Sequence, residues 1–454
     1  MNDFKKFLKI GLPCLGEQGL LIMTTTISSI LVSRLGDSEL IISNMTTTII
    51  NWMQAIFTGM ALGVTVVMSN AYGEKNFPKL KKIFTNGIYL VCGIALLTML
   101  ITLVFSQPLV FLFYGKNLMG MAIGYFLFNM IAMPATAYMN TVSAAARGTG
   151  DSFTGLISVL VLNVINIFMI WLFCYQDMIA MPFDPLTSAG IAVIVSRYVS
   201  ALFSYVWVKL RKSPILPKKG DFAFDKDILK NLCKVGVPTA IEYFIFRAAL
   251  LVQQQIIIPL GDIVQGGYQI GMRVLDFASA FATAFQMTAV IMIAQALGGG
   301  EEKSVTKTKK LLCNSAYIVF LLDAIFIFFA APILASLFVS KSSTGAILES
   351  GIIFSRSIAI CSFFFGCYMT YAGILRGAGD NTFITIVTNI ATWGGRVLLS
   401  IILLQVGLSG HLALMLGLGA DFLSRAIVYF IRLKQNKRQN TLQKTGKVAH
   451  ESNT

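Results

Sequence analysis

Long apolar runs recur along the whole chain and constrain its fold more than any other feature. A run of about 20 apolar residues is long enough to cross a hydrocarbon core of about 30 Å as an α-helix. The chain carries 13% charged residues, whereas soluble domains carry about 25%. The sequence therefore predicts an all-α membrane protein with twelve spans, near 10–33, 40–69, 83–106, 118–146, 154–175, 187–209, 235–259, 265–297, 311–337, 346–375, 383–405 and 410–432.

The net charge of +15 is concentrated on alternate connections between these spans. Lys and Arg are enriched in cytoplasmic loops of membrane proteins. This pattern therefore predicts a protein of the cell (inner) membrane with both termini on the cytoplasmic side. Membrane topology thus explains the positive net charge, and no nucleic-acid partner is expected. The basic positions are Lys5, Lys6 and Lys9; Lys75, Lys79, Lys81 and Lys82; Lys209, Arg211, Lys212, Lys218 and Lys219; Lys303, Lys307, Lys309 and Lys310; and those within 432–447.

The two halves of the chain repeat each other. Three sets of residues recur 225 positions later, and two more recur at offsets of 229 and 228. Because six spans separate the copies, the halves have the same orientation, as in a parallel repeat. We predict two six-helix bundles, 1–209 and 234–432, a cytoplasmic link 210–233 and a basic disordered tail 433–454. The matches are Pro13/Pro238 with Glu17/Glu242, Gly36/Gly261, Gly73/Gly298, Arg147–Asp151/Arg376–Asp380 and Arg197/Arg425.

A duplicated helical bundle favours an alternating-access transporter with a substrate site between its halves. An enzyme is not expected, because the two histidines, His411 and His450, form no catalytic or metal-binding motif. The seven cysteines are scattered, so no metal site is expected either.

The loops RGTGD at 147–151 and RGAGD at 376–380 resemble the RG-x-GD signature of multidrug and toxic compound extrusion (MATE) transporters. The resemblance covers residues 5 to 432. It implies a V-shaped pair of six-helix lobes that exports amphipathic, often cationic compounds in exchange for Na⁺ or H⁺. We expect no cofactor besides that ion, a monomeric state, and small-molecule substrates and the lipid bilayer as partners.

The loop residues themselves predict structural turns. Gly150 and Gly379 allow a tight connection between helices. Arg147 and Arg376 lie close to the last carbonyls of their helices, and Asp151 and Asp380 lie near the first amides of the next helices. Both placements are favourable for the helix dipole.

Ionisable residues inside spans are candidates for function, because they are costly in lipid. Asp276 in span eight is the first candidate for substrate binding or cation coupling, with Arg273 three residues earlier on the same face. The alternative is a static Arg273–Asp276 pair. Asn51 is the repeat counterpart, so we expect this buried charge in the carboxyl half only.

Further candidates lie in other spans. Glu17 and Glu242 follow the prolines of spans one and seven, where they face the cleft or stabilise a helix N-terminus. Gln253 belongs to a run of three glutamines whose amides need partners in a membrane. We expect Asp421 to pair with Arg425 along one helix, and Arg356 and Arg396 to bind carboxylates or carbonyls.

The chain departs from the family pattern in its amino half. Many members carry an Asp in span one where this chain has Ser28, and an Asp in span five where Ile167 follows Asn163. A span-seven Glu of other members falls near Phe246 or Arg247. The departure leaves the coupling residue open among Asp276, Glu242 and Glu17.

Two other functions remain open from the sequence. A flippase of lipid-linked saccharides, from the same superfamily, would need a cationic cavity, for which Arg247, Arg273, Arg356 and Arg396 are available. A membrane receptor or scaffold would show no ion-coupled flux.

Overall fold

The computed structural model describes residues 3–175, 184–218, 220–300, 302–338 and 345–435, and these are predominantly helical. In chain order the α-helices are α1 Asp3–Ser33, α2 Asp37–Gly73, α3 Phe77–Val104, α4 Ser106–Ile131, α5 Met133–Gly148, α6 Phe153–Tyr175, α7 Pro185–Leu210, α8 Lys226–Ile257, α9 Asp262–Gly298, α10 Glu302–Ser336, α11 Gly345–Gly377, α12 Asn381–Ala391, α13 Ser400–Gln405 and α14 Gly410–Gln435. Of the predicted tail, only residues 433–435 are described, as the end of α14.

Twelve segments within the described residues are long and apolar enough to cross a membrane, as predicted. The largest boundary differences are at basic ends, where the helices begin at Asp3, Lys226 and Glu302 rather than near 10, 235 and 311. Lysine is a good helix former, so the helices continue through polar residues beyond the apolar run. Hydropathy defines the membrane-crossing part of a helix and not its end.

The fourth span is not one continuous helix. α4 ends at Ile131, and α5 begins at Met133 with Pro134 in its first turn. Proline lacks an amide hydrogen and clashes with the preceding turn, so a helix breaks on its amino side. The eleventh span is also irregular, because residues Thr392–Leu399 between α12 and α13 form a π-helix that carries Arg396.

The chain divides into two compact units. Unit 1 comprises Met1–Arg247 and Val290–Thr308, and unit 2 comprises Ala248–Ala289 and Lys309–Thr454. The helices α8 and α9 are therefore shared between the units. The repeat-based lobes 1–209 and 234–432 describe duplication in the sequence, and their exact limits stay a prediction.

Within unit 1, small residues allow α2 and α8 to pack closely. A Cβ atom added to Gly59 would lie 2.5 Å from the backbone of Ala240, and one added to Gly63 would lie 3.0 Å from the backbone of Gly236. Pairs of small residues four apart on facing helices let backbones approach in this way in membranes. Unit 1 also contains a large apolar cluster, with Phe57 among its fully buried side chains.

Unit 2 has its own core. Phe320 is buried against Ala282 and Ala316, and a Cβ atom added to Gly366 would lie 2.1 Å from the ring of Phe320. Large rings packed against small residues lock helices at fixed separations. This packing joins α9, α10 and α11 within unit 2.

Candidate functional site

Glu17 is paired with Arg147 in unit 1. The Arg147 Nη1 atom donates to Glu17 Oε1 at 2.5 Å, and the two side chains are only 9% and 6% exposed. Arg147 lies in the last turn of α5, as predicted, and its guanidinium also reaches the carboxylate of α1. A Cβ atom added to Gly155 would lie 2.5 Å from Glu17 Oε2, so this glycine leaves room for the carboxylate. The pair fastens α1 to the end of α5.

The two RG-x-GD loops form the same turn in both units. Gly150 and Gly379 each have φ of 87°, a conformation that favours glycine, which confirms the predicted tight turns. The first aspartate accepts from Thr154 Oγ1 at 2.8 Å, which agrees with its place at the start of α6. Each aspartate also binds an arginine at the end of a later helix. Asp151 lies 3.2 Å from Arg211, and Asp380 accepts from Arg432 Nε at 2.8 Å.

Neutral side chains join α1 to α6 at the position where the family resemblance implies a pair of acids. Ser28 donates to Asn166 Oδ1 at 2.9 Å, and Asn166 Nδ2 donates to Ser196 at 3.2 Å. One turn away, Thr24 hydrogen-bonds to Asn163. The side chain that faces Ser28 is therefore Asn166 and not Ile167. Thr24 and Ser28 lie four residues apart in an apolar span, a spacing that could have revealed this polar face.

Arg273 and Asp276 lie beside each other on α9, in unit 2. The distance from Arg273 Nη1 to Asp276 Oδ2 is 3.8 Å, which is too long for a hydrogen bond. The side chains are 64% and 53% exposed, so the expectation that Asp276 is buried is wrong. The helix turns this pair away from its buried face, which Val274 and Leu275 occupy. The pair lies at the wall of a cavity of about 200 Å³.

Gln253 lines the same cavity from α8. It is 1% exposed, and neither its Nε2 nor its Oε1 atom has a hydrogen-bond partner within the described part of the chain. Next to it, Gln254 Oε1 accepts from Gln269 Nε2 at 3.0 Å, which links α8 to α9. Three of the predicted residues, Gln253, Arg273 and Asp276, thus lie around one cavity.

A second charged cluster is fully buried in unit 2. Asp421 is 0% exposed and accepts from Arg425 Nε at 2.7 Å, which confirms the predicted pair along α14. Arg396, on the π-helix, lies 3.6 Å from the other Asp421 oxygen, as expected for a partner of a carboxylate. Arg425 also donates to Thr392 at 2.8 Å. The π-helix aims Arg396 inward at this cluster, an arrangement that the sequence pattern did not indicate.

The remaining candidates lie on α2, α8 and α11. Glu242 is buried in unit 1, and Asn51 is half-buried on α2. Arg356 lies over the ring of Phe328 at 5.6 Å, so a cation–π contact stands where a carboxylate or carbonyl was expected. Among the described residues, no three His, Cys, Asp or Glu side chains are grouped to hold a metal ion.

Comparison with known families decides what kind of protein carries these groups. The MatE family model matches residues 13–172 and 238–402. The chain belongs to the MATE family. The two matched segments begin 225 residues apart, which is the offset of the internal repeat. The family recognition from the two RG-x-GD loops is confirmed.

Two curated relatives cover almost the whole chain. The "Probable multidrug resistance protein NorM" of Thermotoga maritima is 25% identical over 449 residues, which are 96% of this chain and 93% of the relative. The "Multidrug export protein MepA" of Staphylococcus saprophyticus is 20% identical over 412 residues, 90% of this chain and 88% of the relative.

Solved structures confirm the fold class of this MATE protein, twelve transmembrane helices in two six-helix lobes related by a repeat. An outward-facing multidrug resistance MATE family transporter of the MOP superfamily matches with a TM-score of 0.84, at 18% identity and over 98% of both chains. A MOP superfamily transporter from Pyrococcus furiosus, described by the reverse polarity of its binding pocket, matches with a TM-score of 0.88, at 17% identity and over 96% of both chains.

Proposed function

We propose that this MATE protein is a secondary active transporter that exports amphipathic, cationic small molecules such as drugs and toxins, by antiport with Na⁺ or H⁺. The observation that carries the proposal is the Arg273–Asp276 pair, which lies in a helix apolar enough to cross a membrane and yet is exposed at a cavity. The names of both curated relatives, multidrug resistance and multidrug export proteins, support the same function.

Asp276 is the carboxylate that we assign to coupling. Its contact with Arg273 is long and exposed, so little free energy is needed to replace that contact by a proton, a sodium ion or a substrate cation. Antiport follows if ion and substrate compete for this carboxylate, because each then leaves when the other binds. Glu242 is the second candidate. Glu17 is the third, because Arg147 already holds its carboxylate in a buried pair.

The flippase alternative receives less support. A cavity for a pyrophosphate would need arginines without acidic neighbours, whereas Arg273 lies beside Asp276 and Arg396 beside Asp421. We further propose that the protein acts as a monomer in the cell membrane. Both termini are proposed to lie in the cytoplasm, because the basic residues lie on alternate connections.

Dye efflux from proteoliposomes tests this function. The purified protein should export ethidium when a Na⁺ or H⁺ gradient is imposed and not when the gradient is collapsed. Asp276→Asn should abolish gradient-driven efflux, and Glu242→Gln is measured beside it. Asp262→Asn, at the exposed start of α9, is the matched control and should export like the wild type.

Two outcomes would contradict the proposal. Unchanged gradient-driven efflux in Asp276→Asn would refute the coupling assignment, and unchanged efflux in Glu242→Gln and Glu17→Gln as well would exclude all three candidates. The flippase would become the favoured function if the protein exported no cationic dye under either gradient. This result counts only if folded protein is recovered from the liposomes.

A further inference from the structure

The cavity between α8 and α9 in unit 2 combines features that a general apolar drug site lacks. Its volume is about 200 Å³, whereas sites for drug-sized ligands span about 300–1,000 Å³. Its wall includes a cation, an anion and several amides, from Arg273, Asp276, Gln253, Gln254 and Gln269. The cavity therefore fits a small polar molecule, or the polar head of a larger one.

Gln253 is the observation that points to a ligand. A buried amide in a membrane protein loses its water and must find hydrogen-bond partners. Its neighbour Gln254 has one in Gln269, but both polar atoms of Gln253 lack a partner among the described residues. An amide offers one acceptor and two donor hydrogens, so its natural complement is another amide, which pairs with donor and acceptor at once.

The charges at the wall select among ligands. A ligand that is only a cation meets the guanidinium of Arg273, and one that is only an anion meets the carboxylate of Asp276. Arg273 Nη1 lies 3.8 Å from Asp276 Oδ2, and both side chains are more than half exposed at the cavity wall, so a ligand can reach the guanidinium and the carboxylate. A molecule that carries both a carboxylate and an ammonium group satisfies both side chains and leaves the net charge of the wall unchanged.

We propose that this cavity binds a small zwitterion that carries an amide, with its carboxylate on Arg273, its ammonium group on Asp276 and its amide on Gln253. The inference deepens the transport function proposed above and rests on it. It adds peptide-like zwitterions, as a second substrate class, to the cations of that proposal. The ammonium group would then compete with the coupling ion for Asp276.

Three matched probes test the charge requirement on purified protein in nanodiscs by calorimetry, without any ion gradient. Glycylglycine is the zwitterion, glycylglycinamide the cation and N-acetylglycylglycine the anion. The zwitterion should bind about tenfold or more tightly than the other two, since a hydrogen bond to a charged group contributes a factor of that order. Equal binding of all three, or no binding of the zwitterion, would overturn the proposal.

Variants of the charged pair should change the order of the probes. Arg273→Gln should favour the cation, and Asp276→Asn should favour the anion. The double variant loses one charge of each sign, so its net charge is that of the wild type, and it should bind all three probes equally weakly. If the double variant keeps the preference for the zwitterion, the pair does not select it.

Gln253→Met tests the amide with two readouts. Binding of glycylglycine should weaken about fivefold to tenfold, because an amide hydrogen bond contributes about that much. Thermal stability should stay equal or rise, because a buried amide without a partner is replaced by an apolar side chain of similar length. Gln255→Met is the matched control, since Gln255 is exposed on the same helix and should leave binding unchanged. Equal effects of the two variants would refute the role of Gln253.

The result separates the two proposals. Zwitterion binding without gradient-driven dye efflux would contradict the antiport function and leave the cavity's ligand class standing. Dye efflux that persists while no probe distinguishes wild type from the double variant would contradict the ligand class alone.

Discussion

The Glu17–Arg147 pair gives the sharpest prediction for stability. Its side chains are 6% and 9% exposed, so water screens the interaction little. Within the described ranges, Glu17 Oε2 and Arg147 Nε have no hydrogen-bond partner. If one residue of the pair is removed, these atoms therefore supply no second hydrogen bond that stabilises the remaining charge. Breaking a buried pair by removing one partner costs about 3–5 kcal/mol. Glu17→Gln and Arg147→Met should each destabilise the protein by about that amount.

The double variant should be more stable than either single variant. It loses the attraction but leaves no uncompensated charge, and replacing a whole buried pair by neutral side chains is often tolerated. The coupling energy between the two positions should therefore exceed about 2 kcal/mol. Equilibrium unfolding in mixed micelles, followed by circular dichroism, measures all four proteins under one condition. Additive costs in the double variant would refute the pairing.

Gly155 provides an independent check on the same carboxylate. A Cβ atom at this position would approach Glu17 Oε2 to 2.5 Å, so Gly155→Ala should destabilise the wild type by about 1–3 kcal/mol through overpacking. In the Glu17→Ala background the same change should cost much less. If Glu17→Gln instead abolished gradient-driven efflux at unchanged stability, Glu17 would be a coupling residue and not a fastening of α1.

Two further substitutions test packing and charge elsewhere. Asp421→Asn should destabilise the protein by about 3 kcal/mol or more, because Arg425 and Arg396 both lose their carboxylate partner. Wild-type stability of this variant would contradict the buried cluster. Gly59→Ala should lower the free energy of unfolding by about 1–3 kcal/mol, because its Cβ atom would lie 2.5 Å from the backbone of Ala240. Gly93→Ala is the control and should be neutral or stabilising, because no atom lies within 4 Å of its Cβ position. Equal melting temperatures of the two variants would contradict the close helix contact.

The sequence was sufficient for features that depend on local chemistry. Hydropathy located the twelve spans because crossing a membrane requires a continuous apolar helix, and the repeat predicted that Gly150 and Gly379 make the same turn. The pair of Asp421 and Arg425 was predictable because positions four apart share a helix face.

Contacts between helices were beyond this kind of pattern. Periodicity shows which side of a helix is polar but not which helix it meets, so the contact of Glu17 with Arg147, 130 residues later, was missed. The acid and the arginine do recur together in the second half, as Glu242 and Arg376, and that joint recurrence was an available signal. The exposure of Asp276 was missed because hydropathy does not show which residues of a span pack against other helices.

The carboxylates differ in the free energy needed to release them, and this difference favours one of them for coupling. Moving one elementary charge through 100 mV supplies about 2.3 kcal/mol. Separating Glu17 or Asp421 from a buried arginine costs about 3–5 kcal/mol, which exceeds that supply. The exposed contact of Asp276 with Arg273 is worth about 0–1 kcal/mol, so an ion or a substrate can replace it in each cycle. A carboxylate that must change partners therefore belongs at an exposed wall, where Asp276 lies.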